Sequence, residues 1–206
     1  MVSGRGSNLA ALLAAEREGR LGARVAVVVS DRPGAPALAL AREAGKLTLV
    51  IDPGPSRARL SDACESALVE ALAAREIGLV ALAGFLRIVG PRLLAAFPWR
   101  VLNIHPSLLP AFRGLDAQRR AWEHGVRVAG CTVHFVTEGV DEGPILLQAA
   151  VAVLPADTPE TLAARILEEE HRIYPKAVRL VAEGRVRVEG HTIIIDDREG
   201  GRGADA

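Results

Sequence analysis

An amide, an imidazole and a carboxylate stand where strands of this sequence should end. Asn103 and His105 lie in Asn103-Ile104-His105-Pro106-Ser107-Leu108-Leu109-Pro110, and Asp141 in Val136-Thr137-Glu138-Gly139-Val140-Asp141-Glu142-Gly143-Pro144. The run Arg100 to His105 reads as a short strand closed by Pro106. Side chains alternate faces along a strand, so Asn103 and His105 point the same way and Ile104 the other. Two polar groups side by side at a strand's carboxyl end are costly to bury unless they do chemistry. Taken alone, His105 fits a structural histidine bonded to a carbonyl, and Asn103 a turn-former. Their shared face and the rigid Pro106/Pro110 loop favour the functional reading. Asp141, in a glycine-flanked loop, fits a turn residue equally well. Its membership depends on nearness to His105, which only folding decides.

Three further groups matter. Gly4-Arg5-Gly6-Ser7-Asn8 fits a phosphate cradle: glycines let backbone N–H groups approach an oxyanion, and a helix starting at Ser7 or Asn8 points its positive end at it. An ordinary glycine-rich turn with Ser7 as N-cap fits the same residues. His134, inside an apolar strand, reads as a packed core histidine with a ligand-facing role open, whereas His124 and His191 read as surface residues. Glu168-Glu169-Glu170 reads as a solvated helix face with room for one member turned inward. No His, Cys and carboxylate spacing suits a metal, and no Gly-x-Ser-x-Gly elbow is present.

The elements that must position these residues alternate. Apolar runs at 23–29, 47–51, 78–83, 100–105, 131–136 and 145–153 read as strands. Helical periodicity covers 36–44, 61–75, 92–97, 115–124 and 158–182, the last with a break expected near Pro175. Near-continuous apolar strands between helices predict an α/β, doubly wound, mainly parallel Rossmann-like sheet, with 131–136 and 145–153 as an antiparallel edge. Residues 185–188 and 192–195, around Glu189-Gly190, read as a hairpin. One domain over 1–188 is expected, with 189–206 a C-terminal strand and tail, partly disordered after Asp197. Only Met1 and Val2 precede the glycine turn, where a doubly wound fold places a full central strand. Either the sheet is thinned at its centre or the recorded start lies several residues late, and the latter is the favoured expectation.

Composition narrows the class. Of 206 residues half are hydrophobic, enough for one substantial core. Twenty-five basic residues balance 25 acidic ones, so no net field argues for nucleic acid or a membrane surface. The two cysteines lack metal-ligand spacing and suit buried positions in a reducing cytoplasm. No apolar run reaches spanning length, and the N-terminus lacks a signal-peptide pattern.

Ser3-Gly4-Arg5-Gly6-Ser7-Asn8-Leu9, Ala83-Gly84-Phe85-Leu86-Arg87-Ile88, Asn103 to Pro110, and His134-Phe135-Val136-Thr137 followed by Asp141 and Gly143-Pro144 occur in one order. Together, from residue 2 to about residue 187, they resemble the phosphoribosylglycinamide formyltransferase (glycinamide ribonucleotide transformylase) family of folate-dependent enzymes in purine synthesis. The Asn-x-His-Pro-Ser-Leu-Leu-Pro element is common to users of 10-formyltetrahydrofolate, and the Ser-Gly-x-Gly-Ser-Asn-Leu turn points to this branch. The resemblance implies that Asn103, His105 and Asp141 form the catalytic set. It implies that Gly6, Ser7 and Asn8 hold the phosphate of 5-phosphoribosylglycinamide, while Glu170 bonds its ribose. Arg87, Ile88 and Val89, with Asn103, would line the folate pocket, partly through backbone groups. A family arginine for the folate tail aligns onto Ser61, leaving Arg59 or Arg57 to substitute. Val89-Gly90 and Arg113 also depart from the family pattern. The resemblance further implies a cytoplasmic enzyme, monomer or homodimer, acting on two small molecules without metal, nucleic acid or membrane. A 10-formyltetrahydrofolate hydrolase, or another formyl-folate-dependent formyltransferase, is the alternative.

Overall fold

Valine-rich runs and proline- or serine-started helices set the element order in the computed structural model, which describes residues 1–196. The elements are α1 (Ser7–Arg17), β1 (Val27–Ser30), α2 (Pro36–Glu43), β2 (Leu47–Val50), α3 (Asp62–Ala73), β3 (Val80–Leu82) and α4 (Pro91–Ala96). Next come β4 (Val101–His105), α5 (Ala117–Glu123), β5 (Val128–Phe135), β6 (Ile145–Ala152), α6 (Pro159–Ala182), β7 (Val186–Glu189) and β8 (Thr192–Ile195). Local chemistry fixes the helix starts. Ser61 accepts the Cys64 N–H to cap α3, and Thr158 and Thr161 cap α6 reciprocally ahead of Pro159.

Strands β1 and β2 pair parallel, as do β3 and β4, while β4–β5 and β5–β6 are antiparallel. Helices cover both faces. One apolar cluster includes Leu102, Val133, Phe135, Ile166 and Tyr174; a second includes Val29, Leu68, Leu82, Leu93 and Val101. This is the doubly wound arrangement, with the antiparallel part extending inward as far as β4.

Two expectations need correction or limits. The break near Pro175 does not occur, because α6 runs unbroken through it. A proline removes one helical N–H, but burial of Tyr174, Ala177, Val178 and Val181 holds the helix on the sheet. The Tyr174 hydroxyl reinforces this by reaching the Leu82 and Leu102 carbonyls at 2.9 and 3.3 Å. The domain limit expected at 188 falls inside β7, which pairs with β8. The expected disordered tail after Asp197 lies outside the described residues.

At the centre, Met1 and Val2 hold the place of a strand. Val2 N–H donates to the Val29 carbonyl at 2.9 Å, and Ala83 N–H to the Met1 carbonyl at 2.9 Å. This short stub ties β1 to β3 and brings the carboxyl ends of β1, β3 and β4 to one edge of the sheet. Beyond it lies a cavity of about 410 Å³ whose lining includes Met1, Val27, Val28, Leu79, Val80 and Ala81. The Met1 amine, enclosed there, donates to the Ala81 carbonyl at 2.6 Å, and burial pulls its pKa down to about 5. An amide N–H would make the same bond without a charge to desolvate, and an apolar strand would fill the space.

Candidate active site

The carboxyl edge gathers three segments. The turn before α1 is made by Gly6, whose φ of 85° lies in the left-handed region and whose Cβ, were it present, would stand 2.7 Å from Ala37 Cβ. Glycine is therefore required on both counts. Ser7 opens α1, so Gly6 and not Ser7 is the N-cap. Asn8 is buried and donates through Nδ2 to Glu170 Oε2 at 2.7 Å, while its Oδ1 is buried with no partner among the described residues. Glu170 is thus the one member of the acidic run turned inward. Burial raises its pKa, an effect that the Asn8 hydrogen bond only partly opposes.

The segment after β3 carries Arg87, Ile88 and Val89. Arg87 is already paired: its Nε lies 2.8 Å from Asp31 Oδ2, and Nη1 donates to the Ser56 carbonyl. The same Asp31 accepts the Ser3 hydroxyl at 2.6 Å, tying this segment to the glycine turn. Ile88 donates its N–H to Ala58 and accepts at its carbonyl from Leu60, so its own backbone is consumed by a bridge to Arg59. Val89 is buried, and Arg59 is exposed beside it in sequence-distant pairing with Ile88. Ser61, where the family arginine would align, is the cap of α3.

The third segment holds the amide, imidazole and carboxylate. Asn103 and His105 share a face of β4, as alternation requires. Antiparallel pairing sets His134 of β5 opposite Asn103, and the following loop returns Asp141 to His134 and His105. That return depends on Gly143, where an added Cβ would lie 1.8 Å from the Phe135 carbonyl oxygen. Asp141 itself has φ 54°, an uncommon conformation that the surrounding contacts must hold.

Distances define a connected chain. His105 Nδ1 lies 3.3 Å from Asp141 Oδ2, and His134 Nε2 lies 3.5 Å from Asp141 Oδ1. Asn103 Nδ2 lies 3.2 Å from His134 Nε2. The Gly114 N–H donates to Asp141 Oδ2 at 2.8 Å. His105 Nε2 faces the Phe112 carbonyl at 3.0 Å and must carry its hydrogen there. His134 Nδ1 faces the Phe135 carbonyl at 2.8 Å and is likewise a donor. Its Nε2 then accepts from Asn103 when the ring is neutral and donates toward Asp141 when it is charged. His134, which the sequence places in the core, is both buried and part of this set; strand register, invisible in one sequence, is the signal that finds it.

Electrostatics here come from burial and partners. Burial alone would raise the Asp141 pKa, but the hydrogen bonds from His134 and Gly114 and the nearby His105 together hold it below the usual carboxylate range. For His105 burial prevails and lowers the pKa, against the Phe112 carbonyl and Asp141, which raise it; His134 and Arg120 add to the lowering. The result is a fixed anion beside a ring that takes a proton reluctantly until further negative charge arrives. No group of three or more His, Cys, Asp or Glu residues among those described is arranged to hold a metal.

Comparison with known proteins places the chain among formyl transferases. The profile of a family described as formyl transferase matches residues 1–178. A phosphoribosylglycinamide formyltransferase of Bacillus subtilis is 41% identical, over 86% of this chain and 90% of its own length. The trifunctional purine biosynthetic protein adenosine-3 of Gallus gallus is 44% identical over 91% of this chain. The chain spans only 18% of that larger protein. The crystal structure of glycinamide ribonucleotide transformylase 1 from Symbiobacterium toebii superposes with a TM-score of 0.90 at 60% identity, covering 95% of this chain and 92% of that one.

The inward carboxylate generates a stability test. With its folded pKa raised, ionised Glu170 is penalised in the native state, and the penalty develops as pH rises above about 4.3, the ordinary value of the unfolded chain. Glu170→Gln keeps an oxygen for Asn8 without the charge. Its Tm should match wild type near pH 4 and exceed it increasingly toward neutrality. A variant that is less stable at pH 7 would refute the burial argument.

Proposed function

The chain belongs to the formyl transferase family, and we propose that it moves the formyl group of 10-formyltetrahydrofolate onto the primary amine of 5-phosphoribosylglycinamide, a step of purine biosynthesis. The observation that carries this reading is the Asn103–His134–Asp141–His105 chain at the sheet edge that also holds the Gly6 turn. A catalytic carboxamide, imidazole and carboxylate beside an anion-binding helix start suit acyl transfer between two bound small molecules. The turn also favours transfer over hydrolysis, since water needs no phosphate site.

In this reaction the acceptor amine attacks the formyl carbon, and the carbonyl π pair moves onto oxygen. Asn103 Nδ2 has two hydrogens; one is directed to His134, and the other is left to meet the oxyanion. His105, whose pKa burial keeps low, gains proton affinity as that negative charge develops, and Asp141 compensates the imidazolium. Asp141, through water, also carries the proton from the attacking nitrogen to the leaving folate nitrogen. Cleavage of the carbon–nitrogen bond then releases tetrahydrofolate and the formylated acceptor, with no covalent enzyme intermediate. Gly6, Ser7 and Asn8 take the acceptor's phosphate, and Glu170 its ribose. Arg87, Ile88 and Val89 border the folate, with Arg59 toward its tail. Because Arg87 and the Ile88 backbone are already paired, their part is to shape the pocket. The enzyme works in the cytoplasm.

Two measurements check this. Incubation with 10-formyltetrahydrofolate should consume the formyl group only when 5-phosphoribosylglycinamide is supplied; equal loss without it would make the chain a hydrolase. His105→Ala and Asp141→Asn should each lower kcat by about a hundredfold or more while circular dichroism stays that of the native fold. Near-normal turnover in either variant would remove that residue from the mechanism.

A further inference from the structure

His105 does not hold itself in place. Its Nε2–H rests on the carbonyl of Phe112, a residue in the loop 106–114 that arches from the end of β4 over the site. The same loop supplies the Gly114 N–H to Asp141. One strap therefore references both His105 and Asp141, and whatever fixes the strap fixes their separation.

The root of the strap is bound by two side chains: Thr132, the cross-strand neighbour of His105, and Gln148, and their hydrogen bonds go to the strap and to each other. Thr132 of β5 is completely buried, and its hydroxyl is saturated. It donates to the Ser107 carbonyl at 2.7 Å and accepts from Leu109 N–H and from Gln148 Nε2, each at 3.0 Å. A hydroxyl has one hydrogen and two lone pairs, so nothing is left over. Gln148, the register partner of Thr132 on β6, also donates to the Leu109 carbonyl at 3.0 Å. Although Gln148 is exposed on its strand, its amide thus bonds both the strap and the residue that anchors it. Farther along, the Ser107 hydroxyl donates to Ala111 at 2.6 Å, and Arg120 donates to the Arg113 carbonyl at 2.6 Å above the Phe112 ring.

We propose that Gln148 and Thr132 are positioning residues for the formyl transfer, holding the strap so that the Phe112 carbonyl and Asp141 grip opposite nitrogens of His105. The role rests on the function proposed above, but the grip itself is measurable without turnover. The groups that face the imidazole are Phe112 of the strap, Asp141 of the 136–144 loop, His134 of β5 and Arg120 of α5. The first two favour its charged form; the other two, and burial, oppose it. With the burial of His105 unchanged, slackening the strap withdraws the Phe112 carbonyl and loosens Asp141 together, so protonation becomes harder.

The test tracks the His105 ring by NMR in substrate-free protein, assigned against His105→Ala, in wild type and in Gln148→Leu, Thr132→Val and Thr132→Ser. Gln148→Leu changes an exposed position and should leave the fold intact. Its His105 titration should move to lower pH, as should that of Thr132→Val, while Thr132→Ser, which keeps the hydroxyl, should titrate like wild type. In turnover, kcat above neutrality should fall by about tenfold for each unit of that shift, with KM for both substrates within about twofold of wild type. An unshifted titration in folded Gln148→Leu overturns the proposal, even if kcat falls, because the glutamine would then be merely structural. A shifted titration in a protein that transfers no formyl group leaves the grip standing and overturns the proposed reaction instead.

Discussion

A single carboxylate organises this molecule's working edge. Asp141 draws His105, His134 and the Gly114 N–H onto its two oxygens, from three separate stretches of chain. A carboxylate taken out of water needs donors, here the Gly114 N–H and each imidazole once it is protonated, because without them burial drives it toward the neutral acid. With them it stays ionised, and the imidazole beside it acquires a ready counter-charge. The left-handed backbone at Asp141 and the absence of any room for a side chain at Gly143 are what the fold tolerates to deliver it.

The sheet explains why the donors arrive together. Parallel pairing of β3 with β4, and the Val2 bridge to Ser30, aim the carboxyl ends of those strands at the same edge. Antiparallel β5 then runs back along β4, so His134 meets Asn103 as a cross-strand neighbour. Polar side chains that are isolated in sequence become a hydrogen-bonded line, and the apolar clusters on both faces keep water from competing for it. A second buried carboxylate, Asp31, plays a similar part between the glycine turn and the segment after β3, accepting from Ser3 and pairing with Arg87.

The segments proposed to bind the two small molecules differ in how far their chemistry could be read. Gly6 was legible as a turn glycine with two readings, a phosphate cradle or an ordinary turn, and the structure adds its left-handed backbone and the crowding by Ala37. Glu170 was visible only as one of three adjacent glutamates; the phase of α6 against the sheet singles it out. Arg87 was expected to line a pocket, and nothing in the sequence signalled that its charge pairs with Asp31, a partner 56 residues away. Pro175 carried a strong local signal for a helix break that packing overrode. Local rules set a preference of a few kcal/mol at a proline, and the buried face of α6 on both sides of it prevailed.

Periodicity, β-branched runs and turn residues determined by themselves that strands and helices alternate, that the fold is doubly wound, and that Asn103 and His105 share one face. Those are properties of neighbours along the chain, governed by side-chain alternation and backbone preference. Only tertiary structure decided that Asp141 closes on His105, that His134 belongs with them, and that the Met1–Val2 stub bridges two halves of the sheet beside a cavity. Such contacts join residues tens of positions apart, and no local preference encodes them. They are fixed by strand register and by the need of every buried polar group to find a partner.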